Sequence, residues 1–169
     1  MHKPLRGEYH PSLEGYIKIV TQENPILALE EQIIELQAFA GEVPVELEEH
    51  AYAPGKWTIK EIMGHLCDAE RIFAYRALRI GRGDTTPLPG FDEDKFVPNG
   101  AFNKRSLYDL VHELCMVRQT TLVMLKRMPK GSFDNMGSGD GKPLTVRALI
   151  FVMVGHVKHH LKFVRTHYL

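Results

Sequence analysis

Four stretches of the chain carry apolar residues three and four positions apart, the spacing that lines one face of an α-helix. Each stretch is bounded by residues that start or stop helices, and none alternates apolar and polar residues as a strand would. They cover residues 25–40, 58–81, 106–128 and 145–168, and a shorter helix is expected over 12–20. Four long helices with one apolar face each are typical of an all-α four-helix bundle.

Residues that favour helix ends stand at the borders of these stretches. Asn24 precedes the first helix as its N-cap, and Gly41 is expected to end it. The second helix begins at Thr58–Glu61, a capping box in which side chains and backbone amides satisfy one another. Ser106 and Thr145 are the predicted N-caps of the third and fourth helices. The helix starts are therefore indicated by caps as well as by apolar spacing.

Two connections are long for a bundle. Residues 84–103 are rich in proline, glycine, aspartate and phenylalanine, and loops of this length are usually functional or cross the end of a bundle. We expect an ordered lid here, because its prolines and Phe91 restrict the chain. Residues 129–143 contain four glycines and are expected to form a more flexible loop.

Composition restricts the class of protein. The 169 residues suffice for a single domain, 1–169, and 21 basic residues balance 21 acidic ones, so no net charge attracts nucleic acid or anionic lipid. Cys67 and Cys115 are the only cysteines, which is typical of reduced thiols. No apolar segment reaches the roughly 18 residues of a membrane span, and no signal peptide is apparent. We expect a cytoplasmic protein that binds small molecules rather than nucleic acid or membrane.

Three histidines form the strongest candidate for a chemical site. His156 and His160 stand four residues apart, so their side chains share one face of the fourth helix with Cβ atoms about 6 Å apart. Both occupy stripe positions, where an imidazole without a partner is costly to bury. His65, at the edge of the second helix's stripe, is the best-placed third ligand. We predict one divalent metal ion bound by His65, His156 and His160.

Other assignments of these histidines remain open. A core histidine hydrogen-bonded to a carbonyl is the alternative, above all for His65. His159 lies three residues after His156 and could replace His160, although it falls outside the stripe. His112 lies off the stripe of the third helix and is expected at the surface. Zinc or nickel is the expected metal, since nitrogen-rich sites accept several divalent ions.

Candidates for catalytic groups are weaker. Arg76 interrupts the stripe of the second helix, and it either anchors an anionic substrate group or pairs with a loop acid at the core edge. Asp92 and Glu93 could close over the metal as general bases, whereas Glu70 projects to another face of its helix. The alternative for all three carboxylates is a solvated surface position. Trp57 precedes the helix cap and is expected to act as a hydrophobic staple.

The sequence around these histidines resembles the DinB-like superfamily. Residues 55–71, GKWTIKEIMGHLCDAER, and 73–78, FAYRAL, resemble the second-helix signature of that family. Residues 87–92, PLPGFD, resemble the segment after that helix, and 155–161, GHVKHHL, resemble the closing helix of its YfiT-like branch. The resemblance covers nearly the whole chain.

This resemblance implies a four-helix bundle with up-down-down-up topology and a three-histidine metal site, usually in a homodimer. The first ligand of the family corresponds to His65 and the last two to His156 and His160. Many relatives carry glutamate at the position of Val157, so a role for that carboxylate does not transfer to this chain. The family's activities include thiol S-transfer, thiol-dependent isomerisation and metal-dependent hydrolysis.

Three functions follow as expectations. The first is a metal-dependent thiol S-transferase that joins a low-molecular-weight thiol to a small electrophile. The second is a metal-dependent hydrolase that activates water, and the third is a bundle that binds metal without catalysis. The fourth helix also indicates a homodimer, because Phe151, Val154 and Leu161 lie off its stripe and would need cover.

Overall fold

The computed structural model describes all 169 residues, and most of them are helical. The helices are α1 Glu14–Lys18, α2 Pro25–Glu42, α3 Ile59–Gly81, α4 Glu93–Gly100, α5 Leu107–Lys126 and α6 Val146–His167. Two strands, β1 Met136–Gly139 and β2 Lys142–Thr145, form an antiparallel hairpin. None of the helices combines the length and the apolar character that crossing a membrane requires. The predicted all-α four-helix bundle is confirmed, with the hairpin as a minor addition.

The long helices begin at their predicted caps. The side chains of Asn24, Ser106 and Thr145 each accept a backbone hydrogen bond from the first turn of α2, α5 and α6 respectively. At the start of α3, Oγ1 of Thr58 accepts from the amide of Glu61 at 3.1 Å. The Glu61 carboxylate accepts from the amide of Thr58 at 2.8 Å, which completes the capping box. These caps satisfy amides that a helix start would otherwise leave unpaired.

Paired residues show that α2 and α6 run in the same direction. The side-chain amide of Gln32 donates to the carbonyl oxygen of Val154 at 2.9 Å. About three turns further along both helices, Nε of Arg165 pairs with Glu42 at 2.9 Å. Residue numbers rise together across this interface, so the two helices are parallel.

The direction of α3 is opposite to that of α6. The hydroxyl of Tyr168, just after α6, donates to the carbonyl of Trp57, just before α3, at 2.7 Å. At the other end of α3, the side-chain amide of Asn135 donates to the carbonyl of Ile80 at 3.1 Å. Because Asn135 precedes the hairpin that leads into α6, α3 ends where α6 begins.

The direction of α5 follows from its contacts with α3. The thiol of Cys67 donates to the carbonyl of Leu110 at 3.4 Å, and Arg71 pairs with Glu113 at 2.6 Å. Residue numbers rise together, so α3 and α5 are parallel neighbours. The bundle therefore has the up-down-down-up order that the family resemblance implies.

The parallel arrangement of α3 and α5 explains the long connection between them. The 23-residue helix α3 is about 35 Å long, so the chain must travel back along the bundle before α5 begins. On the way, the amide of Leu88 donates to the carbonyl of Ser138 at 2.9 Å, and α4 packs beside α3. The ring of Phe102 lies against Gly64, where a Cβ would be 2.2 Å from it. The connection contains a helix and runs along the bundle rather than across its end.

The prediction of a flexible loop over 129–143 is wrong, because these residues include all of β1 and the first half of β2. The strands are joined by Asp140 and Gly141, whose φ angles are 56° and 67°. Positive φ at both positions makes the tight turn whose twist matches antiparallel strands, and Asp-Gly favours it. The strands read MGSG and KPLT, so they lack the apolar alternation by which a strand is detected.

The end of α2 lies at Glu42 rather than at the predicted Gly41. Val43 adopts an extended conformation, with φ −88° and ψ 117°, and Pro44 follows it. Proline disfavours the helical conformation in the residue before it. Pro44, rather than the glycine, therefore sets this boundary.

Within the single chain, Phe151, Val154 and Leu161 are each at most 1% exposed. The helices α1 and α2 pack along α6 and supply cover outside its predicted stripe. The argument for a homodimer from these three residues is therefore wrong, because no second copy is needed to cover them. The homodimer stays a prediction that rests on the family resemblance.

Candidate metal centre

The side chains of His65, His156 and His160 meet between α3 and α6. Nε2 of His156 lies 3.1 Å from Nε2 of His65 and 3.2 Å from Nε2 of His160. All three possible ligand atoms lie within 4.8 Å of one another. Two nitrogens that bind one ion at about 2.0–2.1 Å lie about 3.0–3.4 Å apart, so the cluster has the dimensions of a metal site.

The helices position each imidazole. His156 and His160 lie one turn apart on α6, on the face that packs against α3. His65 lies in the second turn of α3, whose start is fixed by the capping box at Thr58. The antiparallel packing of the two helices brings the first turns of α3 beside the second half of α6.

Burial keeps the three imidazoles neutral near pH 7. It lowers the pKa of His65 to about 4 and that of His160 to about 3. It also lowers the pKa of His156 well below its usual range. A neutral imidazole has a lone pair for a metal ion, and each Nε2 otherwise makes a single hydrogen bond as donor or acceptor. Three such nitrogens cannot all satisfy one another, so the donor set fits a divalent transition-metal ion.

Aromatic rings surround the triad. The ring centroid of Trp57 lies 5.0 Å from that of His65, and the ring of Phe91 stacks on His65 at 6.5 Å. Tyr16 of α1 meets His156 edge to face at 5.4 Å. Trp57 therefore contacts the site itself, beyond the staple expected from the sequence. These rings restrict the orientation of the imidazoles.

Tyr16 reaches His156 because α1 crosses α6 at a glycine. A Cβ at Gly155 would lie 2.0 Å from the carbonyl oxygen of Tyr16. No side chain fits in that space, so glycine permits the close approach of the two backbones. This contact involves the short helix α1 as well as α6, and no local pattern in the sequence marks it.

We expect Gly155→Ala to lower the free energy of unfolding by about 1–3 kcal/mol, because α1 must move away from α6. Urea denaturation followed by circular dichroism measures the change. The matched control is Gly15→Ala in α1, where a Cβ meets no atom within 4 Å. That variant is expected to gain about 0.5–1 kcal/mol, since alanine favours a helix over glycine. Equal effects of the two substitutions would contradict the close approach.

A cavity of about 300 Å³ extends from the triad along the interface of α3 and α6. We call it the first cavity. Four charged residues line it, namely Arg76, Glu93, Asp140 and Lys142. Most of the remaining wall is apolar and comes from Leu13, Ala69, Phe73, Leu144, Leu149 and Val152. A cavity that combines apolar walls with several polar groups is typical of a small-molecule site.

A second cavity, of about 280 Å³, borders the triad at His160. Trp57 and His160 line both cavities, so they stand where the two meet. The wall of the second cavity is rich in aromatic rings, including Tyr52, Phe163 and Tyr168. The histidine cluster is therefore accessible from two spaces.

The remaining candidate residues divide into those that reach the first cavity and those that do not. Arg76 and Glu93 line it. Asp92 is exposed and caps the start of α4, outside the lining of either cavity. His159 is exposed, lies outside the triad and borders the second cavity. His112 is exposed on α5.

A buried polar network that the sequence did not predict lies in the core of the bundle. Arg118 donates to both carboxylate oxygens of Glu70, at 2.7 and 2.9 Å. It also donates to Oε1 of Gln32 at 3.0 Å. The expectation that Glu70 is a solvated surface carboxylate is wrong, because that residue is buried. One signal was present, since Arg118 stands four residues after Leu114 on the buried face of α5.

The chain belongs to the DinB superfamily, whose family model matches residues 28–164. No curated protein matches the chain. Among solved structures it is similar to YfiT from Bacillus subtilis, with a TM-score of 0.72 and 16% identity, over 98% of this chain and 93% of that one. YfiT is described as a probable metal-dependent hydrolase with an unusual four-helix bundle topology. The resemblance to a DinB-like, YfiT-like bundle is thereby confirmed.

Proposed function

We propose that this chain is a metal-dependent enzyme that transfers a low-molecular-weight thiol to a small electrophile. One divalent ion, zinc or nickel, is held by His65, His156 and His160. The observation that carries the proposal is that the triad borders two cavities. A reaction between two small molecules requires both to reach the same centre, and two adjoining cavities supply that arrangement.

The donor set supports the metal. Three imidazoles occupy three coordination positions, and catalytic metal sites keep a further position open for a reactant. The triad faces a cavity rather than being enclosed by protein ligands, which argues against a purely structural ion. When bound, such an ion acts as a Lewis acid that lowers the pKa of a coordinated thiol or water.

The residues around the triad support binding and exclusion of water. Trp57 and Phe91 cover His65, and Tyr16 covers the edge of His156. A water-poor site strengthens electrostatic interactions inside it. Neither of the two cysteines lines the first or the second cavity, and both are buried in the core. The reacting thiol must therefore be a substrate that enters from outside.

A metal-dependent hydrolase is the second candidate. Glu93 lines the first cavity, and its carboxylate is a general base that can accept a proton from water. The description of YfiT favours the same class. Asp92, the neighbouring candidate, caps a helix instead.

The test compares both reactions in one preparation. Protein loaded with zinc or nickel is mixed with glutathione or cysteine and chlorodinitrobenzene, and loss of free thiol is followed together with the thioether by mass spectrometry. A nitrophenyl ester without thiol reports hydrolysis. We expect thiol consumption at least about tenfold faster than with His156→Ala, which lacks one ligand. The matched control is His112→Ala, because that histidine is exposed and lies outside the site.

Two outcomes oppose the transferase. Equal thiol consumption by wild type and His156→Ala across several thiols and electrophiles would contradict it. Metal-dependent cleavage of the ester, with no thiol consumed, would select the hydrolase.

A further inference from the structure

Arg76 lies on the same face of α3 as His65. It follows His65 by eleven residues, which correspond to about three helical turns and about 16 Å of rise. Ala69 and Phe73 stand between them, and all four residues line the first cavity. The cavity therefore has the histidines at one end and a guanidinium towards the other.

The guanidinium of Arg76 is buried without a carboxylate partner. The residue is 8% exposed, and its hydrogen bond runs from Nη2 to the carbonyl oxygen of Pro89 at 2.8 Å. Asp140, the loop acid on this side, pairs instead with Lys142 at 2.7 Å. Every fully buried side-chain nitrogen of the protein has a hydrogen-bond partner. The N–H groups of Arg76 that have no partner are therefore not fully buried, and they are open to the cavity that Arg76 lines. The ion pair considered from the sequence is not formed.

The surroundings hold this charge in place and compensate it only in part. A Cβ at Gly139 would lie 3.0 Å from Nε of Arg76, so the backbone of β1 packs closely on the side chain. Burial lowers the pKa of Arg76, and the nearby charge of Asp140 opposes this shift only in part. A guanidinium nevertheless stays protonated at neutral pH. A buried charge of this kind is costly unless a partner binds it.

The other charged residues of the cavity do not neutralise Arg76. Lys142 and Asp140 pair with each other, which leaves one net positive charge at this end. The charge of Glu93 contributes to the raised pKa of Tyr16, so Glu93 lies towards the histidine end. The cavity is therefore matched to a ligand with one negative group.

We propose that the first cavity selects an organic carboxylate, whose carboxylate is bound by Arg76 while the rest of the molecule extends towards the triad. The planar guanidinium donates two parallel hydrogen bonds to a carboxylate, which a neutral amide cannot match. Leu144, Leu149 and Val152 line the cavity and contact the apolar middle of the ligand. The assignment of this ligand as a substrate rests on the proposed function, whereas its binding by Arg76 does not.

Calorimetry on metal-free protein tests the proposal without contribution from an ion. The probes are phenylacetate, phenylpropionate and phenylbutyrate, each paired with its primary amide as a neutral isostere. We expect at least one carboxylate to bind wild type about tenfold or more tightly than its amide. Arg76→Met should remove this preference for the carboxylate. Arg76→Lys should keep only part of it, because lysine retains the positive charge but cannot donate two parallel hydrogen bonds. Arg79→Met is the matched control, because Arg79 lies on the same helix and pairs with Asp84 outside the cavity.

Two results would overturn the proposal. The proposal fails if wild type binds none of the three carboxylates more tightly than the corresponding amide. This result does not depend on the folding of any variant. A full preference retained in Arg76→Met would exclude Arg76 as the anchor. Since no metal is present and no turnover is measured, failure here leaves thiol transfer standing, and failure of thiol transfer leaves the carboxylate site standing.

Discussion

Replacing Arg118 with methionine is expected to lower the free energy of unfolding by about 3–5 kcal/mol, because it leaves the Glu70 carboxylate buried without its partner. Arg118 is 0% exposed and Glu70 is 3% exposed. Water cannot replace the lost hydrogen bonds of Glu70 in the core, so its charge must be buried unpaired or neutralised. Urea denaturation followed by circular dichroism measures the loss.

The position of Arg118 explains why the expected effect is large. The residue belongs to α5 and binds Glu70 of α3 and Gln32 of α2. Gln32 in turn donates to the carbonyl of Val154 in α6. All four long helices therefore meet in one hydrogen-bonded network, and the network specifies how they are arranged.

Two further variants separate the buried pair from an ordinary salt bridge. Arg71 pairs with Glu113 across the same two helices, but its side chain is 48% exposed. Arg71→Met is therefore expected to cost only about 0–1 kcal/mol. The double variant Glu70→Leu/Arg118→Met should recover part of the loss, since it removes both charges. Equal losses in Arg118→Met and Arg71→Met would contradict the central role of the network.

The elements that could be predicted from the sequence are those encoded locally. The start of α3 is an example, because the capping box at Thr58 and the apolar spacing after it act within a few residues. The hairpin and α4 were not predicted, since β1 contains two glycines and Pro98 lies inside α4. Both elements pack against α3, and β1 approaches it so closely that a Cβ at Gly137 would be 2.5 Å from the side chain of Ile80.

The candidate site shows the same division. The shared face of His156 and His160 follows from their spacing on one helix. Their approach to His65 depends on the antiparallel packing of α3 and α6, which the sequence left open and only the family resemblance implied. The contact of Tyr16 with His156 depends on a crossing of backbones at Gly155. Tertiary contacts of this kind have no local pattern from which to predict them.

Removal of one histidine from the triad is expected to have the largest effect on metal binding. We expect His156→Ala to weaken zinc affinity about 100-fold or more. Loss of a residue that only hydrogen-bonds to a metal ligand already weakens metal affinity about 10–100-fold, and His156 is itself a proposed ligand. Nε2 of His156 lies within 3.2 Å of both other Nε2 atoms, so this residue is central to the cluster. Competition with a chelating indicator and elemental analysis measure the change. The matched control is His159→Ala, three residues along α6 and outside the triad, which should bind zinc as wild type does.

A thermal assay distinguishes loss of the metal site from loss of the fold. An ion that binds only the native state raises its stability in proportion to the logarithm of the metal concentration above Kd. Zinc should therefore raise the Tm of wild type and His159→Ala, and should leave the Tm of His156→Ala nearly unchanged. A variant that failed to fold would show no cooperative transition at all. If zinc raised the Tm of His156→Ala as much as that of wild type, the ion would bind outside this triad. If zinc failed to raise the Tm of His159→Ala, His159 rather than His160 would be the third ligand.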